Sequence, residues 1–337
     1  MAAERFVSSS AGAASQELED SSPILKAKAV EAKRRPIAAF VDAFAAVLSC
    51  GMYATCSIMM VLTNKWLASS FNVHAHVSLL LMQNLIATCL VVLCKASGVV
   101  AYADFDRKTA LAWCPVNVCF VLMLLTSFVA MRYLSVPMIT VFKQLANLIT
   151  AVGEYHFFGK RVGAGVVVSF AIMILGATLA SAKDIGFSAL GYTWQIANCF
   201  ATSGYVLYLK HATRSIQLSK FGMVFYNNVL SVPFLLFLAV ANGEPATLHA
   251  RKSVLDLTFL GMNAIAGCVG FALNVASVWC IASTSATTYA VVGALNKIPV
   301  TILGFYLFEA PVSKEAAIYI ALSLIGGFVY SYEKLRR

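Results

Sequence analysis

ATTYAVVGALNKIPVTILGFYLFE, residues Ala286 to Glu309, is apolar for the length a bilayer demands and carries one cation in its middle, Lys297. At about 1.5 Å per residue, Lys297 stands roughly 16 Å from the start of the run, near the membrane midplane. A lysine stem spans only part of that distance, so snorkelling to the interface is a poor escape. The nearest carboxylate in sequence is Glu309, twelve residues on. A cation at this depth costs about 2.5–3.5 kcal/mol on insertion scales, so it should face a cavity and meet an anion. The neighbouring Asn296 and the small pair Gly293 and Ala294 suggest hydrogen bonding and close backbone approach.

Composition extends this reading to the whole chain. With 60% hydrophobic and 12% charged residues and a mean hydropathy of +0.80, the 337 residues make a polytopic membrane protein, not a soluble domain. A net charge of +10 would suit nucleic acid in a soluble protein. Here the basic residues flank apolar segments, so orientation and contact with anionic membrane lipid account for them. All nine cysteines fall in or at the ends of apolar runs without a C-x-x-C, as small core residues and not as a metal site or disulfide framework.

Residues 1–36 read as a disordered cytosolic tail whose basic end lies on the membrane surface. Ten apolar runs come after it, at roughly 40–63, 75–95, 111–131, 136–158, 162–182, 188–209, 221–241, 258–281, 286–309 and 315–332. Of the 25 Lys and Arg, sixteen fall near span ends on the N-terminal side and six on the other. That bias places both termini in the cytosol.

Lys143, within VPMITVFKQLANLITAVGE, is the only other lysine deep in a span. It lies in the fourth helix of the first five, as Lys297 does in the second five, and each is followed by a Glu at its helix end, Glu154 and Glu309. An odd number of helices per half makes the second half enter from the opposite side. The pattern is that of an inverted repeat, 37–186 and 187–337, with a binding site at the midplane between the halves. The competing reading pairs each lysine with a buried carboxylate, but Glu154 and Glu309 stand three turns away. Lys143 is closer to its helix start and could partly snorkel.

The seventh span opens with GMVFYNNVLSVPF. Asn227 and Asn228 are expensive in lipid unless satisfied. One asparagine is ordinarily helix–helix glue. Two in tandem point about 100° apart, and carboxamides can also read the edge of a purine, with Phe225 or Tyr226 against its face. Asn198, Tyr53, Tyr289, Ser277 and Asn274 are further polar handles inside spans. Pro137, Pro233 and Pro299 mark helices that bend or line a cavity. Paired acids, metal-spaced histidines and nucleophile or P-loop motifs are missing from the spans, so neither an enzyme nor a metal or cofactor site is expected.

At FYNN (Phe225 to Asn228) and GALNK (Gly293 to Lys297) the sequence resembles the Golgi GDP-mannose transporters, in the nucleotide-sugar branch of the drug/metabolite transporter superfamily. VLTNKW, VPMITVFK, GEYHFFG and the TTY before GALNK are similar too, and the resemblance covers roughly 40–332. It implies a ten-helix antiporter that exchanges cytosolic GDP-mannose, or another GDP-sugar, for lumenal GMP by alternating access. Asn227 and Asn228 would hold guanine. Gly293, Ala294, Asn296 and Lys297 would lie along the diphosphate and sugar, and Tyr289 against the sugar region. Tyr53, Lys143, Asn198 and Ser277 match other cavity positions. Two departures, Gln144-Leu145-Ala146 after Lys143 and Asn274 in place of a small hydroxyl residue, leave the sugar open. The alternatives are a carrier of another nucleotide sugar or phosphorylated metabolite, or a multi-pass membrane enzyme. Small-residue faces such as Gly326-Gly327 would permit a homodimer.

Overall fold

A computed structural model describes residues 23–70, 76–159, 162–245, 257–284, 286–308 and 313–336. Among them the regular structure is helical: α1 Pro23–Ser70, α2 His76–Ala96, α3 Arg107–Tyr133, α4 Val136–Phe158, α5 Ala164–Ala182, α6 Ala189–Ser215, α7 Lys220–Ala241, α8 Leu257–Ser283, α9 Ala286–Leu295, α10 Lys297–Leu307 and α11 Lys314–Leu335. The chain forms two compact units, Met1–Ser49 and Cys50–Arg337. In the first, α1 is already helical from Pro23, within the stretch expected as a disordered tail, while residues 1–22 of that tail lie outside the described residues. Glu309, Lys160 and Arg161 also lie outside them. The second unit holds both lysine-bearing spans and the asparagine pair.

The helix ends are written in the sequence. Asp106, Ser188, Ser219 and Ser313 each cap a helix by accepting a hydrogen bond from a backbone N–H three residues on. Ser135 followed by Pro137 starts α4, only two residues after α3 ends. Gly159, at φ 64, stops α4 in the left-handed conformation that glycine adopts without strain. Two caps come from elsewhere in the chain. The Lys65 ammonium donates to the carbonyls of Met131 and Leu134 at 2.6 and 2.7 Å, closing the C-terminus of α3. The Glu244 carboxylate accepts from the N–H groups of Val77 and Ser78 at 3.2 and 2.7 Å and from the Ser78 hydroxyl at 2.8 Å, closing the N-terminus of α2. Lys65, one of the six charges assigned to span ends on the far side, is therefore a buried cap and not a surface charge.

Among the described residues, eight helices are long and apolar enough to cross a membrane. The sixth expected span forms the 27-residue α6 but is too polar to be counted with them. The ninth, expected as one helix over 286–309, is divided into α9 and α10 at Asn296. The cause is Pro299, which has no N–H to give the carbonyl of Leu295 and whose ring crowds it. Asn296 itself keeps helical angles, φ −59 and ψ −23, so the hydrogen-bond ladder is interrupted without a turn.

Burial is distributed for lipid. Large apolar side chains such as Leu111, Phe157, Phe237 and Tyr306 point outward. Asn117, Gln144, Gln195, Asn198 and Asn263 are almost wholly enclosed. Apolar outside and polar inside is the arrangement a hydrocarbon solvent imposes. α5 packs on α11, α2 on α7 and α8, α3 on α6 and α7, and α4 on α6 and α10. Small residues allow these approaches: a Cβ on Gly176 would meet the Ser323 backbone at 2.7 Å, and one on Gly304 would meet Val136 at 2.6 Å.

Candidate functional site

Three lobes of internal space lie between these helices. The largest, about 470 Å³, has both Lys143 from α4 and Lys297 from α10 in its wall. Asn147 and Thr150 follow Lys143 at helical spacing on the same face of α4, and Asn198 and Thr202 face them from α6. A second lobe of about 240 Å³ shares Met60, Asn64, Leu124, Ser127 and Met131 with the first and adds Gln83, Asn84, Asn228 and Asn274. The third, about 200 Å³, shares Phe120, Asn228 and Asn274 with the second and adds Tyr205, Asn227 and Ser277. The lobes thus form a row, with Lys143 and Lys297 at one end and Asn227, Asn228 and Lys220 at the other.

The lysine end carries positive charge without a carboxylate to match it. No Asp or Glu lines any of the three lobes. Glu154, the candidate partner on the Lys143 helix, accepts from Lys210 at 2.6 Å. Lys143 has no hydrogen bond or ion pair among the described residues. Lys297 donates to the neutral Gln144 carbonyl oxygen at 2.6 Å. Of the two lysines in this lobe, one rests on a neutral amide and the other on no hydrogen-bonding group among the described residues.

At the other end the two asparagines divide. The Asn227 carboxamide is used by the protein: its oxygen accepts from Trp113 Nε1 at 2.9 Å and its NH2 donates to the Tyr205 hydroxyl at 3.0 Å. Its backbone carbonyl accepts from Asn117 and Ser231. The Asn228 carboxamide makes no hydrogen bond among the described residues and borders both smaller lobes. Asn274 and Ser277 line the lobes while donating to carbonyls one turn back on α8, and Asn198 donates to the Met123 carbonyl and the Thr126 hydroxyl.

The aromatic half of FYNN lies elsewhere. Phe225 packs against Tyr102 with ring centroids 4.9 Å apart, and the Tyr226 hydroxyl accepts from the Asp106 N–H at 2.9 Å. Both belong to an apolar cluster around Trp113 that backs the lobe. Asp106, outside the spans, is held below the usual carboxylate range by the Thr109 N–H and hydroxyl. The rings of Tyr53 and Tyr289 pack at a tilt, centroids 4.4 Å apart, beside Ala276 and Cys280. Gly293 leaves room for that pair, since a Cβ there would stand 3.1 Å from the Tyr53 hydroxyl. Tyr53, Tyr289, Gly293, Ala294 and Asn296 therefore form a wall next to Lys297 and do not border the three lobes. The buried Asn296 NH2 has no hydrogen-bond partner among the described residues.

Sequence reading missed Gln144, Asn64, Gln83, Trp113 and Tyr205 as site residues. Their signal was available, since polar side chains inside an apolar run are costly unless used. Among the described residues no group of three His, Cys, Asp or Glu could hold a metal ion.

Residues 44–331 match the Triose-phosphate Transporter family. The "GDP-mannose transporter GONST1" of Arabidopsis thaliana is 38% identical over 298 residues, covering 86% of this chain and 90% of that protein. The chain belongs to the GDP-mannose transporter family. The "GDP-mannose transporter" of Schizosaccharomyces pombe is 35% identical over 292 residues, 84% of this chain and 85% of that one. A solved crystal structure 15% identical to the chain shares its fold, with a TM-score of 0.55 over 86% of this chain and 98% of that one. Membership of the GDP-mannose transporter family makes the chain a carrier and not an enzyme.

Proposed function

We propose that the chain is a Golgi antiporter that carries GDP-mannose from the cytosol to the lumen in exchange for GMP, by alternating access. One observation supports this most directly: Asn228 and the two lysines stand at opposite ends of one row of lobes, as the base and the diphosphate of one nucleotide sugar require. The relatives carry GDP-mannose in their names. Lys143 and Lys297 take the diphosphate, and Asn228 takes the guanine edge. Asn227 fixes the helix that presents Asn228. The wall of Gly293, Ala294, Asn296, Tyr53 and Tyr289 turns toward the ligand as the carrier closes.

Alternating access is supported by the pairing of the helices. With α9 and α10 counted as one span, there are ten spans in two halves of five. α2, α4 and α5 each pack on their own counterparts, α7, α10 and α11. The contact of α2 with α8 is mirrored by that of α7 with α3, and α4 with α5 by α9 with α11. An inverted repeat produces such pairs. The Lys and Arg bias puts both termini in the cytosol.

Exchange follows from charge. An empty lobe with two cations is costly to carry through the membrane, so reorientation is favoured when an anion is bound. Purified protein in liposomes tests this. Labelled GDP-mannose should enter liposomes loaded with GMP and stay out of empty ones; equal entry into both would refute obligatory exchange.

A further inference from the structure

Gln144 stands directly after Lys143, at one of the departures from the GDP-mannose transporter pattern, and its side chain meets Lys297. Only 1% of it is exposed. Its carbonyl oxygen lies 2.6 Å from the Lys297 ammonium and 3.5 Å from the Asn147 NH2. The space for this amide comes from α11: a Cβ on Gly327 would run into Gln144 Nε2, with two further Gln144 atoms next nearest. The arrangement therefore joins α4, α10 and α11 around one cation.

A neutral amide is a particular choice of partner. A carboxylate here would neutralise Lys297 and compete with any incoming phosphate. An apolar side chain would leave the ammonium without an acceptor in a low-dielectric site. An amide oxygen offsets part of the desolvation of the ammonium and leaves its full charge to attract an anion. Lys143, by contrast, has no partner among the described residues and is free to make the first contact.

We propose that Gln144 is the positioning residue that holds Lys297 while the lobe carries no anion and gives it up when a phosphate arrives. Lys143 then receives the anion first, and Lys297 swings from the amide to the same phosphate of GMP or to the neighbouring phosphate of a diphosphate. This rests on the transport reading above.

The test compares wild type, Gln144→Glu and Gln144→Leu in the full-length purified protein, with GMP affinity read by titration and folding read by the thermal midpoint without ligand. Gln144→Glu should keep or raise the midpoint and weaken GMP by about tenfold or more, because a carboxylate now occupies Lys297. Gln144→Leu should lower the midpoint yet bind GMP as tightly as wild type or better, because nothing competes for the ammonium. Opposite effects of the two variants are the signature, since a group that only fills space would respond alike to both. If wild type binds GMP and the two variants shift it equally or not at all, Gln144 is packing and the inference fails alone. If wild type neither binds GMP nor exchanges it, the transport reading fails and takes this one with it.

Discussion

Asn227 and Asn228 are adjacent and chemically identical and both border the third lobe, yet one carboxamide is bonded to Trp113 and Tyr205 and the other makes no hydrogen bond among the described residues. Their variants should separate accordingly. Asn227→Ala leaves the Trp113 N–H without an acceptor and the Tyr205 hydroxyl without a donor, each loss worth about 1–3 kcal/mol when buried. It should lower the denaturation midpoint clearly. Asn228→Ala removes no hydrogen bond among the described residues, so the midpoint should hold while preference for GMP over UMP falls by about tenfold, the worth of one or two hydrogen bonds. Lys143→Met makes a third case. It deletes a cation without a partner among the described residues, so stability should stay level or rise, while exchange drops by about ten- to a hundredfold for a lost charge-assisted bond of about 1.5–3 kcal/mol. Both lysines and both asparagines were legible in the sequence because each breaks an apolar run at a cost that demands an explanation. Gln144 breaks the same run and so gave a signal, but its partner was not legible, since the lysine it serves is 153 residues away and nothing local points there. The aromatic pair Phe225 and Tyr226 looked like a base platform because helical position says which residues share a face, but not what that face meets.

Among the elements, the divided ninth span is the clearest departure from expectation. Hydropathy sees a single run over 286–309, and only the chemistry of Pro299 shows that the carbonyl of Leu295 has no donor. The interruption falls at Asn296 and Lys297, so the lysine opens α10 where a continuous helix would have fixed its backbone more tightly. Half-helices of this kind serve binding sites in other carriers. Pro299→Ala should restore the ladder. GMP affinity is expected to stay within about twofold while the exchange rate falls, because the bend serves movement more than binding; an unchanged rate would remove the break from the mechanism. The helix ends were mostly legible from their Asp, Ser and Gly caps. Lys65 and Glu244 were not, because they cap helices distant in sequence, and a cation at a span end reads as a surface charge until its acceptors are known.

For the whole molecule, composition alone was enough to place the chain in a membrane, and the outward apolar and inward polar side chains have the same cause. In the sequence, two lysines 154 residues apart are what points to two halves. The packing of α2, α4 and α5 on their counterparts supports that reading through contacts that residue-by-residue similarity is too weak to reveal. The row of lobes could not be read beforehand, because it depends on which faces of α1, α3, α4 and α8 come together. Its central claim is that one end reads guanine and the other holds phosphate. Liposomes loaded with GMP, UMP or CMP and offered labelled GDP-mannose measure both at once. Wild type should exchange rapidly against GMP and slowly against the pyrimidine nucleotides, and Lys297→Ala should abolish exchange against all three. Equal exchange against UMP or CMP, or a Lys297→Ala protein working at the wild-type rate, would contradict it.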